Sequence, residues 1–208
     1  SEICEKIDAN WNDISLALKL DKRIGKYAYL KPGLGISGGN LERDLHTMQK
    51  LQINNNLNNK FILELKNKSK NRKLWILKII KKLERKFKIK YLSILGLAYK
   101  IDTHSIKNSP AISLIKRLNG YKIKTFDPVV KRVDGLNLKI SKNSYEAIKG
   151  CDVLVISTPW KNFKKINSTF FMKNIKYKTI IDPYNLLNKN LLVKKGINHI
   201  SMGEKNNV

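Results

Sequence analysis

Cysteine, acidic residues and long apolar runs are all scarce in this sequence. The two cysteines, Cys4 and Cys151, cannot form a disulfide framework, and each is interpreted as a small core residue. The apolar runs are far shorter than the ~20 residues that a membrane span needs, so no span is predicted. No signal peptide is recognisable, and a cytoplasmic location is expected. The three histidines lack metal-ligand spacing, so no metal site is predicted.

The scarcity of acidic residues makes the chain strongly basic. Lys and Arg number 42 against 16 Asp and Glu, a formal net charge of +26. Nucleic-acid binding is one interpretation of this charge. Codon bias is the other, because Lys, Asn and Ile are all frequent and lysines occur in every segment. The even spread along the sequence favours codon bias, and nucleic acid is kept as the less favoured partner.

The first 59 residues are predicted to be helices and loops. Residues 1–7 look like the end of an amphipathic helix, with Ile3 and Ile7 one turn apart, so the chain is expected to continue upstream. Asn10 is a predicted cap for a helix over residues 11–20. A glycine-rich stretch, residues 33–39, leads to a helix from residue 41 to about residue 53.

Residues 60–89 are predicted to form one long connecting helix. Ile76, Ile80, Leu83 and Phe87 recur with helical spacing and define one apolar face. This helix would join the first segment to a second domain, residues 90–208.

The pattern changes after Lys90 to short apolar runs that alternate with helices. Runs at residues 91–95, 122–126, 152–157 and 179–182 predict buried parallel strands. Helices are predicted to begin at Ser109-Pro110 and to cover residues 145–149 and about 186–194. The predicted fold class is therefore α/β: helices followed by a doubly wound, Rossmann-like parallel sheet. Ligands of such sheets bind beyond the carboxyl ends of the strands.

Several ordered strings resemble one protein family. GLAYK at residues 96–100, followed by Thr103 and Ser109-Pro110, resembles the G-L-A-F-K-x-x-T-x-D-x-R-x-S-P signature of nucleotide-sugar dehydrogenases, the family of UDP-glucose 6-dehydrogenase and GDP-mannose dehydrogenase. Upstream, DKRIG at residues 21–25 and residues 29–44 resemble D-x-R-I-G and F-L-x-P-G-x-G-F-G-G-S-C-x-P-K-D. The resemblance implies part of the helical dimerisation domain (residues 1–59) and the UDP-binding domain, without the NAD domain that precedes them in the family.

The resemblance also implies a set of site residues. Backbone amides of the glycine-rich loop would wrap the sugar and phosphates, and Arg23 would reach the substrate of a neighbouring subunit, which implies a homodimer or higher oligomer. The implied substrate-binding residues are Arg23, Tyr29, Leu30, Lys31, Pro32, Gly33, Ser37, Tyr99, Lys100 and Tyr184, and those implied to contact NAD are Arg43 and Lys107.

The sequence departs from the family at the catalytic cysteine. Asn40 occupies the position of that nucleophile, and an amide cannot form the thioester of the second oxidation step. Asn40 is more simply interpreted as a cap for the following helix. Asp44 matches the aspartate that handles a proton during catalysis. Lys107 and Tyr184 stand where the family has arginines, and Ser105 stands where it has an acidic residue.

A literal G-x-G-x-x-G occurs at Gly33, Gly35 and Gly38, but no buried strand precedes it, so it is not interpreted as a dinucleotide site.

Three functions are compared. The leading one is part of an NAD-dependent dehydrogenase that oxidises the C6 alcohol of a UDP-sugar or another nucleotide sugar. The second is a catalytically silent module for nucleotide-sugar binding or dimerisation, and the third is nucleic-acid binding through the basic surface.

Overall fold

The first half of the chain consists of helices and a long glycine-rich loop. In the computed structural model, which describes residues 1–206, the helices of this half are α1 (Trp11–Leu18), α2 (Asn40–Asn54), α3 (Lys60–Lys73) and α4 (Trp75–Leu83). The Asn10 side chain caps α1 by accepting a hydrogen bond from the Asn12 amide at 2.8 Å, as predicted.

The second half forms a parallel sheet with helices between its strands. The strands are β1 (Tyr91–Leu95), β2 (Lys122–Phe126), β3 (Lys139–Ile140), β4 (Val153–Ile156), β5 (Thr179–Ile181) and β6 (Asn198–Ile200). The helices are α5 (Pro110–Ile115), α6 (Ser144–Ile148), a 3-10 helix (Lys161–Lys165), α7 (Ser168–Asn174) and α8 (Lys189–Lys194). The strand order β3-β2-β1-β4-β5-β6 reverses direction between β1 and β4, which confirms the doubly wound α/β class.

The core lies between the central strands and the helices that cover them. All four residues of β4 and all three of β5 are buried, as expected for parallel strands covered on both faces. From α4, Ile76, Ile80 and Leu83 are each at most 1% exposed, so the predicted apolar face is confirmed. Within residues 1–206, no helix combines the length and apolar character needed to cross a membrane.

The predicted helix over residues 60–89 is wrong in two respects. It is divided at Leu74, whose amide hydrogen-bonds to the Asn71 carbonyl, and it ends at Leu83. The division separates surfaces of different character: α3 buries Ile62 alone, whereas α4 buries five residues against the core. The buried residues of α4 belong to the core, while α3 packs against α2.

The prediction for residues 1–7 is also wrong. These residues form hydrogen-bonded turns rather than an α-helix, and Cys4 is buried while Ile3 and Ile7 are 73% and 54% exposed. Glu5 fixes this segment through hydrogen bonds from Arg72 Nη2 at 2.5 Å and Trp75 Nε1 at 2.9 Å. Polar contacts with α3 and α4, rather than a helical apolar face, therefore position the segment.

Candidate functional site

A buried carboxylate shapes the turn that follows β1. Asp127, directly after β2, is fully buried, and its Oδ2 accepts hydrogen bonds from the amides of Leu97 at 2.7 Å and Ala98 at 3.0 Å. Its Oδ1 accepts from the amides of Val129 and Val130. Burial raises the pKa of this carboxyl, but the four backbone hydrogen bonds outweigh burial and hold the pKa below its usual value.

The end of β4 completes this turn. The Thr158 hydroxyl donates to the Ala98 carbonyl at 2.7 Å, and a Cβ at Gly96 would lie 2.4 Å from the Thr158 Cβ. Gly96 also has a φ of +93°, so only glycine fits here. Trp160, interpreted from sequence as core packing, is 9% exposed and donates its Nε1 hydrogen to Asp127 at 3.1 Å.

The glycine-rich loop packs against both α3 and the segment after β1. The Ile36 amide donates to Ser69 Oγ on α3 at 2.8 Å, and a Cβ at Gly35 would lie 2.5 Å from the Ser69 carbonyl oxygen. The Gly38 amide donates to the Lys107 carbonyl at 3.2 Å. Because this loop lies against a helix and follows no strand, its G-x-G-x-x-G pattern is not a strand-to-helix phosphate turn, in agreement with the sequence interpretation.

Two glycines allow side chains from the second half to lie directly on the loop. A Cβ at Gly38 would be 2.8 Å from Tyr99 Cε2, and one at Gly39 would be 2.8 Å from Lys107 Nζ. The Ser37 hydroxyl lies 3.4 Å from the Tyr99 carbonyl oxygen. Lys100 is exposed beside them, with its Nζ 5.7 Å from the centre of the Tyr99 ring. The structure thus brings Ser37, Tyr99, Lys100 and Lys107 to one place.

Asn108 joins the loop to two helices and was missed by the sequence analysis. Its Nδ2 donates to the Ile36 carbonyl at 3.3 Å and to Glu42 Oε2 at 2.8 Å, and its Oδ1 accepts from Lys73. Burial lowers the pKa of Lys73, and the charge of Glu42 opposes that shift. An asparagine directly before the Ser109 helix cap was a weak sequence signal for a special backbone conformation, because asparagine tolerates positive φ. Asn108 has a φ of +52°.

Asn40, Arg43 and Asp44 lie at the start of α2. Asn40 is exposed and is the first residue of the helix; Gly39 is in the cap position, and no side chain caps this end. The prediction that Asn40 is a cap is therefore wrong, because the helix begins one residue earlier than expected. Arg43 pairs with Asp44 at 3.1 Å, and both side chains are more than half exposed. Arg43 and Lys107 are exposed cations beside this helix start.

The remaining predicted residues are Tyr184, at the carboxyl edge of the sheet, and residues 29–33, at the start of the glycine-rich loop. The Leu30 carbonyl accepts from Trp11 Nε1 at 2.7 Å, while Tyr29 is 89% exposed. The Tyr184 hydroxyl donates to the Ser157 carbonyl at 3.2 Å, and burial, with a smaller contribution from Tyr29, raises the pKa of the Tyr184 phenol. Lys31 is exposed, and Pro32 and Gly33 are half-buried.

Arg23 is not part of the cluster. Within residues 1–206 its guanidinium contacts Asp21, with Nη2 and Oδ2 2.6 Å apart.

Neither cysteine can take the place of the family nucleophile. Both are free and buried, as predicted, and Cys151 lies just before β4, at the opposite edge of the sheet from the turn at Gly96. Burial, reinforced by the neighbouring Asp152, raises the pKa of the Cys151 thiol to about 12. Within residues 1–206, no three His, Cys, Asp or Glu side chains are grouped as a metal ion would require.

Comparison with known proteins is consistent with this arrangement. Residues 1–71 match the family model for the central domain of UDP-glucose/GDP-mannose dehydrogenases, and residues 93–189 match the model for the UDP binding domain of the same family. The chain belongs to the UDP-glucose/GDP-mannose dehydrogenase family. The resemblance noted in the sequence is thereby confirmed.

Relatives and solved structures extend the comparison. UDP-glucose 6-dehydrogenase of Rickettsia prowazekii is 32% identical over 99% of the chain, and a putative UDP-glucose 6-dehydrogenase of Bacillus subtilis is 29% identical over 95%. The chain spans about half the length of these relatives, 49% and 47%. An NDP-N-acetyl-D-galactosaminuronic acid dehydrogenase of Methanosarcina mazei shares the fold over 98% of this chain and 46% of its own, with a TM-score of 0.81 and 18% identity.

Proposed function

We propose that this chain is the nucleotide-sugar-binding part of an NAD-dependent dehydrogenase that oxidises the C6 alcohol of a UDP-sugar. The observation that carries the proposal is the contact between the glycine-rich loop and the segment after β1, where Tyr99 lies on Gly38 and Lys107 lies on Gly39. The Rickettsia relative is named a UDP-glucose 6-dehydrogenase and the Bacillus relative a putative one, which supports UDP-glucose as the substrate to test first.

Each group in this region has a chemical task in the proposal. Loop amides and the Lys100 ammonium bind the diphosphate, and the Tyr99 ring gives an apolar surface for the uracil or sugar. Arg43 and Lys107 hold a phosphate or ribose of NAD. NAD, when bound, supplies the hydride acceptor. Asp44 accepts a proton at its carboxylate, which its exposure at the start of α2 permits.

A second candidate, a catalytically silent binding module, is favoured by one specific observation. Asn40 stands at the family nucleophile position, and Cys151 is buried with a raised pKa at the other edge of the sheet. The chain therefore holds no thiolate at the site for the thioester step. Both candidates bind a nucleotide sugar at the same site, but only the dehydrogenase oxidises it.

We also infer a homodimer through the helical first half. Leu41, Met48 and Leu51 lie along one face of α2 and are each more than half exposed. Arg23 lies outside the loop cluster and is 89% exposed while paired with Asp21, so it is accessible to a second subunit.

Calorimetric titration with UDP-glucose and UDP-glucuronate tests the site. We expect saturable binding that Lys100→Ala weakens about tenfold or more, because a charge-assisted contact with a phosphate is lost. The matched control is Lys149→Ala, which removes an exposed lysine at the edge of the sheet opposite the site. This variant should bind the UDP-sugars as the unmodified chain does. Equal loss in both variants, or no binding in the unmodified chain, contradicts the proposal. Binding without UDP-glucose-dependent reduction of NAD, after addition of an NAD domain, identifies the silent module.

A further inference from the structure

One edge of the folded sheet is rich in positive charge. All strands are parallel, so the connections that enter them from the preceding helices meet at the amino edge. We call this surface the basic edge; it comprises residues 84–91, 116–122, 149–152, 175–178 and 195–197. In these 26 residues there are eleven lysines and arginines and two acidic residues, Glu84 and Asp152.

The opposite edge is much less charged. The loops that leave β1, β4 and β5, residues 96–109, 157–167 and 182–188, hold five lysines and two acidic residues in 32 residues. The two acidic residues of the basic edge are also engaged. Asp152 Oδ2 accepts from the amides of Lys90 and Tyr91, and Glu84 bonds with Lys81 and Tyr121. The basic edge therefore keeps a large excess of positive charge, because only these two acidic residues oppose its cations.

Aromatic rings alternate with the cations on this edge. Lys122 Nζ lies 5.6 Å from the ring centre of Tyr91, and Lys176 Nζ lies 4.9 Å from that of Tyr177. Lys81, in the last turn of α4 beside this edge, has its Nζ 5.3 Å from the ring centre of Tyr121. The Tyr177 ring also stacks on Phe87, with centroids 4.6 Å apart. Among the residues that the structure describes, the basic edge carries no strongly exposed aliphatic side chain. It therefore lacks the apolar anchors of a membrane-binding surface.

We propose that the basic edge binds single-stranded nucleic acid, with its lysines on the phosphates and its tyrosines beside unpaired bases. Lysines that follow the backbone together with aromatic rings that stack on bases are the combination that single strands require. The surface lies at the opposite end of the strands from the nucleotide-sugar site. Both ligands can therefore be bound at once.

The test is fluorescence anisotropy of the 208-residue chain with a labelled 20-nucleotide oligothymidylate across a range of KCl concentrations. The triple variant Lys88→Glu, Lys122→Glu, Lys149→Glu changes three exposed lysines of the edge. We expect its affinity at 100 mM KCl to fall about 30-fold, and the slope of log K against log salt to fall by about 2, since each single-strand phosphate contact contributes about 0.7.

The matched control is Lys161→Glu, Lys164→Glu, Lys165→Glu, which makes the same charge change with three exposed lysines after β4. This control should lose less than about threefold. Tyr91→Leu, which keeps an apolar side chain, should weaken single-strand binding about fivefold without changing the salt slope.

Four outcomes overturn the proposal: equal losses in the two triple variants, displacement of the oligonucleotide by UDP-glucose, tighter binding of a duplex of equal length, or binding to phosphatidylserine vesicles but not to the oligonucleotide.

Discussion

At the scale of single residues, the fully buried Asp127 organises the site without facing a ligand. Four backbone amides and the Trp160 indole donate hydrogen bonds to its two oxygens. The carboxylate thereby fixes the turn at Leu97 and Ala98, which directly precedes Tyr99 and Lys100. Its position after a strand was visible in the sequence, but its partners were not, because Leu97 and Trp160 are about 30 residues away in opposite directions.

Asp127→Asn should destabilise the fold. The amide would present its NH₂ group to backbone donors and leave some of them unpaired, so we expect a loss of about 2–4 kcal/mol in the free energy of unfolding. Urea denaturation measures this loss. Asp134→Asn, which removes an exposed pair with Arg132, should change stability by less than about 0.5 kcal/mol. Equal free energies of unfolding for the Asp127→Asn and Asp134→Asn chains would contradict the structural role of Asp127.

The same carboxyl gives a pH dependence with a defined sign. The folded pKa of Asp127 lies below its value of ~4 in the unfolded chain, so its contribution is present above about pH 4. That contribution is lost as the pH falls below about 4 toward the folded pKa. The Asp127→Asn chain should therefore lose less stability than the unmodified chain below pH 4.

Asn40→Cys would test whether the start of α2 still activates a thiol. The position is exposed at the uncapped amino end of a 15-residue helix, where the helix dipole and Lys107 favour a thiolate. Asn54→Cys, at the last residue of the same helix, is the matched control. Iodoacetamide labelling as a function of pH should give a thiol pKa about one unit lower at position 40. Identical thiol pKa values at positions 40 and 54 would mean that the start of α2 does not activate a thiol.

At the scale of secondary-structure elements, the sequence predicted the strands that form apolar runs and the helix that begins at Ser109-Pro110. β2 has the predicted bounds, and Ser109 caps α5 through a hydrogen bond from the Ile112 amide. β3 and β6 were missed because two or three residues give no periodicity, and α7 was missed although Asn167 caps it. The contact between the loop and the β1 turn joins residues more than 60 positions apart, and no local pattern predicts it.

Gly38→Ala should disturb that contact and reduce UDP-glucose affinity. The new methyl group would lie 2.8 Å from the Tyr99 ring, so the ring must move. Gly135→Ala is the matched control: its φ of +76° is close to the +75° of Gly38, but nothing lies within 4 Å of the added Cβ. Backbone strain is therefore similar in both. Calorimetry should show a loss of about tenfold for Gly38→Ala alone; comparable losses would assign the effect to strain instead of ring displacement.

At the scale of the whole molecule, the exposed apolar side chains concentrate in the first half. Met48 and Leu51 are 51% and 57% exposed on α2, and Phe61 is 76% exposed on α3. A surface of this kind is typical of an interface between subunits. The basic edge, in contrast, lies in the second half at the amino edge of the sheet, so the two surfaces are separate.

Light scattering should give a dimer of about 48 kDa for this 24.0 kDa chain. Met48→Lys with Leu51→Lys should give a monomer with an unchanged circular dichroism spectrum. The control, Leu191→Lys with Val193→Lys, alters two exposed apolar residues of α8 by the same charge and should remain dimeric. A monomer in the unmodified chain would exclude this interface.

The measurement that tests the nucleotide-sugar site most directly is the change in backbone amide chemical shifts on titration with UDP-glucose. The amides of residues 33–39 and 96–107 should shift together and saturate at one affinity, because the two segments form one surface. Amides of the basic edge, such as Lys88 and Lys149, should stay unchanged. Shifts confined to the basic edge, or none in either loop, would contradict the proposal that these loops bind a nucleotide sugar.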